Sequence, residues 1–179
     1  MAFRAKMPAP VRGTFPALWA RNSDGSTHYT ELDLIETWWD TKNKGVAADP
    51  NAFKITSHFG PGAKYHTSGG HVGPFANLVT DFHVWEVEWD ANASPPQARY
   101  YYRNAPGATR VLLSTVTSQT AGWAGNVTDA DLKTGLSKGF RPYVDFAVQP
   151  EASWHVGVDS ASVYDPEDLL VDSVIVCSP

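Results

Sequence analysis

The stretch that decides the fold class is Phe82-His83-Val84-Trp85-Glu86-Val87-Glu88-Trp89. Its odd-numbered positions hold a histidine, a valine and two tryptophans, whereas both glutamates fall on even-numbered positions. Since alternate residues of an extended chain point to opposite faces, this period of two predicts a β-strand with one face in the core. Trp85 and Trp89 are therefore predicted to be core residues.

Similar segments recur along the chain. Strands are predicted at 53–59, 99–103, 110–116, 143–148 and 169–176. Turn-rich segments separate them at 22–27, at 60–74 with its five glycines, at 91–97 and at 104–108. A helix is predicted only at 129–137, where Thr128 can cap the first turn and Asp131 stands three residues on. Many short strands separated by polar turns predict an all-β sandwich or barrel.

Length and charge exclude several kinds of protein. The 179 residues suffice for one domain, so residues 1–179 are interpreted as a single unit. Lys+Arg is 14 and Asp+Glu is 19, and the resulting net charge of −5 argues against a nucleic-acid partner, which usually meets a basic surface. No apolar run is long enough to span a membrane, and the single cysteine, Cys177, excludes an intrachain disulfide framework.

Three acids mark the candidate site, in the stretch Tyr29-Thr30-Glu31-Leu32-Asp33-Leu34-Ile35-Glu36-Thr37-Trp38-Trp39. On a strand, Tyr29, Glu31 and Asp33 point the same way, while the leucines between them point into the core. A regular strand would place Glu36 on the opposite face. One extra residue, a β-bulge near Leu34 and Ile35, returns it beside the other two acids.

Clustered carboxyls of this kind suit hydrolysis of a glycosidic bond with retention of configuration. That reaction needs one carboxylate as nucleophile and one protonated carboxyl as acid and then base, about 5–5.5 Å apart. A third acid between them can hold the nucleophile and raise the pKa of a neighbour. From the residues alone, two alternatives stay open: a solvated strand edge and a calcium site built from acids.

The flanking motifs point to a family. In order, they are Arg4-Ala-Lys-Met-Pro, Gly13-Thr-Phe-Pro-Ala-Leu-Trp19, Glu31-Leu-Asp-Leu-Ile-Glu36, Phe82-His83 with Val87-Glu88-Trp89, 99–103, 142–154 and Leu170-Val-Asp-Ser-Val-Ile-Val176. Together they resemble glycoside hydrolase family 16, in which a Pro-Ala-Phe-Trp segment precedes a Glu-x-Asp-x-x-Glu strand. The resemblance covers nearly the whole chain.

The resemblance implies a jelly-roll sandwich of two curved antiparallel sheets, with the glycan on the concave face. It assigns the nucleophile to Glu31, the assisting acid to Asp33 and the acid/base to Glu36. The bulged spacing of these acids is that of laminarinase-like and agarase-like members. Members of the family usually begin well upstream of the first motif, so the first strands of that fold are expected to be missing.

Five residues are candidates for contact with the sugar, because aromatic faces stack on pyranose rings and polar tips orient hydroxyls. They are Trp19, Tyr29, His58, Asp145 and Trp154. Tyr29 has independent support, because it shares a strand face with Glu31 and Asp33. By resemblance, Trp19 and Trp154 flank the cleaved bond, and His58 and Asp145 line the floor of the cleft.

No cofactor and no catalytic metal is predicted. Asp172 matches an acid that holds structural calcium in some members of the family, whose other ligands come from the upstream region. His66 and His71 lie in the glycine-rich segment, where their spacing is only weak evidence for a metal site.

The predicted function is retaining endo-hydrolysis of a β-linked polysaccharide, and the favoured substrates are β-1,3-glucan and a β-galactan. The alternative is a non-catalytic glycan-binding module of a phage tail or a cell-surface assembly; the three clustered acids favour the enzyme. Residues 1–13 do not form a signal peptide. An extracellular location would then require that a leader or an upstream domain had been removed. The expected location is extracellular or surface-exposed, with a virion-associated protein as the alternative. An upstream domain or a homo-oligomer is expected to cover a sheet edge left open.

Overall fold

A computed structural model describes residues 1–9, 13–22, 27–37, 52–60, 65–71, 75–148 and 168–177. These residues form ten β-strands and one α-helix. The strands are β1 Ala2–Lys6, β2 Thr14–Asn22, β3 Thr30–Glu36, β4 Lys54–Phe59, β5 Tyr65–His71, β6 His83–Asp90, β7 Gln97–Arg103, β8 Val111–Val116, β9 Phe140–Val148 and β10 Leu170–Ile175, and the helix is α1 Asp129–Leu136.

The strands form two antiparallel sheets of five strands each. One sheet has the order β5-β4-β3-β2-β9 and carries the candidate site; we call it the site sheet. The other has the order β10-β1-β6-β7-β8, and we call it the backing sheet. The predicted all-β jelly-roll sandwich is confirmed.

The core lies between the two sheets. From the backing sheet, Trp85 and Val87 are fully buried, as the alternation in 82–89 predicts, and Trp89 packs partly buried against them. From the site sheet, Leu18 and Leu32 are fully buried. Burial of the inward residues fixes the register of each strand, because a slip of one residue would turn every apolar side chain to the other face.

Helix α1 begins where the sequence predicts. Thr128 accepts a hydrogen bond from the Asp131 backbone amide, and the Asp131 carboxylate accepts one from the Thr128 amide, which completes a capping box. Gly135 is required by close packing: a Cβ there would lie 2.9 Å from Phe59 Cε2 and closer still to Thr30 Oγ1. Within the described residues, no helix has the length and apolar character to cross a membrane.

One prediction about this fold is wrong. The segment 60–74 is interpreted from its glycines as a turn-rich loop, but Tyr65–His71 forms strand β5 and pairs antiparallel with β4. Glycine is a poor strand former by itself. Pairing with the neighbouring strand overrides this preference, because it satisfies backbone groups that β4 would otherwise leave open.

Strands β9 and β10 are edges of the described sheets, since β9 pairs only with β2 and β10 only with β1 among the described strands. Val144 and Phe146 lie beside inward-facing residues of β2 but remain 45% and 41% exposed. Val174 lies beside the buried Phe3 and is 41% exposed. Both edge strands thus carry exposed apolar side chains that lie beside inward-facing residues within the described part of the chain. That an upstream domain or a second copy covers them stays a prediction.

Candidate active site

The site is built on strand β3, whose regular alternation is interrupted by a bulge. In the pairing of β2 with β3, Leu18 lies opposite Ile35 and Trp19 opposite Asp33, so one extra residue of β3 stands between them. The pairing of β3 with β4 shifts between Asp33 and Glu36. The bulge near Leu34–Ile35 that the sequence predicts is therefore present, and it returns Glu36 to the face of Glu31 and Asp33.

Each acid of β3 lies in a row of side chains that crosses three strands. The strand register places one residue of β2 and one of β4 beside each acid. The rows are Arg21–Glu31–His58, Trp19–Asp33–Thr56 and Ala17–Glu36–Lys54. Cross-strand neighbours of this kind are close enough to interact directly.

Glu31 is oriented from two sides. The Tyr29 hydroxyl donates a hydrogen bond to Glu31 Oε2. On the other side, His58 Nε2 lies 3.6 Å from Glu31 Oε1. The side chain keeps 17% of its surface exposed, so its carboxylate is reachable from outside. An oriented, accessible carboxylate is what a nucleophile at this position requires.

Asp33 is the buried acid of the cluster, with a side chain only 5% exposed. Burial raises the pKa of Asp33 well above its ordinary value, and the negative charges of Glu36 and Glu31 add to the effect. Its Oδ2 accepts no hydrogen bond. His58 Nε2 lies 3.5 Å from that oxygen, which is longer than a normal hydrogen bond. Asp33 therefore keeps its proton to a higher pH than an exposed aspartate does.

Glu36 holds a proton to an unusually high pH. Burial is the largest cause and raises the pKa of Glu36 to about 7, with the charge of Glu31 acting in the same direction. The Thr56 hydroxyl, which donates a hydrogen bond to Glu36 Oε2, and the Lys54 charge both act against this rise. A carboxyl that is protonated below pH 7 is suited to act as a general acid.

Aromatic side chains form a wall beside the acids. Trp19 stacks on Tyr143, with ring centroids 4.4 Å apart and planes inclined by 20°. Trp19 Nε1 donates a hydrogen bond to Asp145 Oδ2 at 3.0 Å. The Arg21 guanidinium lies 5.0 Å from the Tyr143 ring centroid, and its Nε donates to the Tyr143 hydroxyl at 3.3 Å. This Trp19–Tyr143 wall offers flat faces and polar tips, which is the combination that sugars need.

Four of the five predicted sugar contacts lie on this face of the site sheet: Trp19, Tyr29, His58 and Asp145. Trp154 lies outside the described residues. Sequence reasoning missed three residues of the site: Arg21, Thr56 and Tyr143. Arg21 and Tyr143 each stand two positions from a predicted site residue, Trp19 and Asp145, so the period of two already placed them on the same face.

Asp33→Asn is expected to stabilise the protein at neutral and alkaline pH. Because folding raises the pKa of Asp33, the native protein loses stability as pH rises from the unfolded-state value, about 4, through the folded-state value. The neutral amide avoids this loss. Thermal unfolding followed by circular dichroism should show a higher Tm for the variant at pH 8, and a difference that shrinks below pH 4.

The matched control is Asp90→Asn, at an exposed turn-forming residue. Its Tm should differ from that of the native protein equally at both pH values. An Asp33→Asn variant that is less stable than the native protein at pH 8 would contradict the assignment of Asp33 as a buried acid under repulsion.

Comparison with known proteins gives no match to any family model and none to a curated protein sequence. Solved structures do match. The catalytic domain of an endo-1,3-β-glucanase (laminarinase) from Thermotoga petrophila aligns with a TM-score of 0.62 at 19% identity, over 96% of this chain and 60% of that one. An endo-1,3-β-glucanase from Streptomyces sioyaensis aligns with a TM-score of 0.60 at 21% identity, over 95% and 59%.

A GH16 protein for mixed linkage glucan from Bacteroides ovatus, solved with a product, aligns with a TM-score of 0.56 at 18% identity, over 83% of this chain and 54% of that one. The chain has the fold of glycoside hydrolase family 16. It spans only 54–60% of the length of these three solved chains. The jelly-roll architecture is therefore shared with these solved chains.

Proposed function

We propose that the protein hydrolyses a β-linked polysaccharide internally and with retention of configuration, with β-1,3-glucan or a β-galactan as first substrates. The observation that carries the proposal is the unequal pair of acids on one face of a bulged strand. The pKa of Glu36 is raised to about 7, so Glu36 keeps its proton in mildly acidic solution. Glu31 is oriented by Tyr29 and stays accessible. Two carboxyls with different environments are what this reaction requires.

In the first step, Glu31 Oε attacks the anomeric carbon of the sugar. The bond from that carbon to the leaving oxygen breaks, and the proton of Glu36 moves to the leaving oxygen. The product of this step is a glycosyl ester on Glu31. In the second step, the Glu36 carboxylate takes a proton from a water molecule, whose oxygen attacks the anomeric carbon and releases Glu31.

The aromatic wall positions the chain of sugars. The stacked Trp19 and Tyr143 rings provide faces for pyranose rings, and the Asp145 carboxylate and the Arg21 guanidinium lie within reach of hydroxyls. Asp33, which is buried and lies between Glu31 and Glu36 along β3, can share a proton with them as charge moves. The titrations of Asp33 and Glu36 therefore belong to the pair rather than to either residue alone.

A reducing-sugar assay over a panel of polysaccharides tests the function. Laminarin, mixed-linkage β-glucan, a β-galactan and an α-linked dextran as control are each incubated with the protein. We expect new reducing ends from a β-linked polymer, together with an early fall in viscosity, and none from dextran. Binding to a β-linked polymer without cleavage would overturn the proposal in favour of the glycan-binding module.

Thr56→Val is expected to move the alkaline limb of the pH–rate profile to higher pH. Hydrolysis needs protonated Glu36, so kcat/KM falls as pH rises through about 7. The Thr56 hydroxyl stabilises the Glu36 carboxylate by a hydrogen bond, and its loss raises the pKa of Glu36 further. The profile of kcat/KM against pH measures the shift.

Thr115→Val, at an exposed residue of β8, is the control and should leave the alkaline limb of the profile unchanged. A limb that moves to lower pH in Thr56→Val would contradict the role of Glu36.

The setting of the protein follows from its substrate. Polysaccharides of this kind lie outside cells, so an extracellular, surface-exposed or virion-associated protein fits the activity.

The exposed apolar side chains of β9 and β10 suit an upstream domain or a second copy as a cover. Light scattering over a range of concentrations should show a mass that rises with concentration if a second copy is the cover. A constant monomer mass would contradict the second copy.

A further inference from the structure

Glu31, Asp33 and His58 bring three metal-binding atoms together. One ligand atom from each of them lies within 4.8 Å of the others. His58 Nε2 is 3.6 Å from Glu31 Oε1 and 3.5 Å from Asp33 Oδ2. The cluster holds an imidazole as well as two carboxylates, so its donor set differs from that of a group of acids.

A second observation points into the same space. Asp33 Oδ2 is buried, with no hydrogen-bond partner, and it faces the His58 ring. A buried carboxyl oxygen without a partner is rare, because its desolvation costs free energy that no contact returns. A cation placed between the three atoms would provide the missing partner. It would also supply positive charge to three crowded carboxyls.

The spacing fits a tetrahedral ion. Zinc binds imidazole nitrogen and carboxylate oxygen at about 2.0–2.1 Å, so two ligand atoms of a tetrahedral site lie about 3.3–3.4 Å apart. The separations from His58 Nε2 to Asp33 Oδ2 and to Glu31 Oε1, 3.5 and 3.6 Å, exceed that value only slightly, and all three ligand atoms lie within 4.8 Å of one another. Imidazole with carboxylates suits zinc and its neighbours among the transition metals, whereas calcium and magnesium prefer oxygen alone.

The surroundings hold these ligands in place and leave a way in. The Tyr29 hydroxyl binds Glu31 Oε2 and so leaves Oε1 turned to His58, as an outer hydrogen bond orients a metal ligand. Glu31 and His58 lie directly opposite each other on paired strands. Their side chains are 17% and 24% exposed, so an ion can reach them from solvent.

We propose that Glu31, Asp33 and His58 bind one Zn²⁺ ion, which displaces the proton of Asp33 to solvent, and that the bound ion blocks hydrolysis because it occupies the nucleophile. The zinc site is inferred from the geometry alone, and the inhibition of hydrolysis rests on the proposed function. Zinc is thus a reversible inhibitor of this site. Its binding and the attack of Glu31 on a sugar exclude each other.

Calorimetric titration with ZnCl2, made on the whole chain after dialysis against a chelator, tests the site without any substrate. We expect one Zn²⁺ per chain, and an affinity that falls at least about tenfold in both His58→Ala and Glu31→Gln. His28→Ala is the matched control and should bind as the native protein does, because His28 lies near Asp131 instead. Co²⁺ should give the visible absorption of a tetrahedral ion in the native protein and lose it in His58→Ala.

Two results would overturn the metal site: no stoichiometric binding to the native protein, or equal affinity in the native protein and His58→Ala. Inhibition is measured separately, as loss of polysaccharide cleavage with added ZnCl2 and recovery with a chelator. Zinc binding that depends on His58 in a protein that cleaves no polysaccharide would support the metal site and refute the proposed function. Cleavage that stoichiometric zinc leaves unchanged would refute the inhibition.

Discussion

Glu31→Gln is expected to lower the rate of polysaccharide hydrolysis by roughly four orders of magnitude or more, while glycan affinity stays within about threefold. The amide retains the size of the side chain but cannot form the glycosyl ester. The aromatic wall of Trp19 and Tyr143 is untouched by the change, so binding should survive. Initial rates of reducing-end release and affinity electrophoresis in the same polysaccharide measure the two effects.

Glu88→Gln is the matched control for Glu31→Gln. Glu88 is a partly exposed glutamate of the backing sheet that forms ion pairs with Arg99 and Arg110 and makes no ion pair with the acids of β3 among the described residues. Its substitution should leave turnover near the native rate. Turnover retained in Glu31→Gln would contradict the nucleophile assignment, and equal losses in the two variants would indicate damage to the fold instead.

Glu36→Ala is expected to lose about 10²- to 10⁴-fold in the cleavage of polysaccharide, because the departing sugar oxygen then leaves without a proton. An aryl glycoside with a good leaving group needs no such proton. On that substrate the burst of released phenol, which reports the first step, should stay within about tenfold of the native rate. The comparison of the two substrates therefore isolates proton donation from all other effects of the substitution.

Glu88→Gln is again the control, because it should change the rate only slightly on either substrate. Equal losses on polysaccharide and aryl glycoside in Glu36→Ala would show that Glu36 is not the acid. The role would then pass to Asp145, the next carboxyl on this face, which lies beside Trp19.

Much of the fold could be predicted from local sequence, because the deciding signals are local. The alternation at 82–89 depends only on which side chains avoid water, and the cap of α1 only on Thr128 and Asp131. Strand β5 could not be predicted in the same way. Its glycines weaken its preference for a strand, and it forms because it pairs antiparallel with β4, the strand that precedes it in the chain.

The features of the candidate site also differ in whether local sequence or strand pairing determines them. The bulge near Leu34–Ile35 could be predicted, since the positions of three acids and two leucines demand it. The Trp19–Tyr143 stack could have been found from the period of two, but its cross-strand register depends on the pairing of β2 with β9. The raised pKa of Glu36 depends on burial by neighbouring strands, which a single strand sequence does not show.

The anomeric form of the first product tests whether hydrolysis proceeds with retention through Glu31. Proton nuclear magnetic resonance of an early digest, recorded before mutarotation equilibrates the new reducing ends, distinguishes the two anomers. Retention through a Glu31 ester predicts that the β-anomer appears first and the α-anomer grows in later. An α-anomer that appears first, or no new reducing end from any β-linked polymer, would contradict the account.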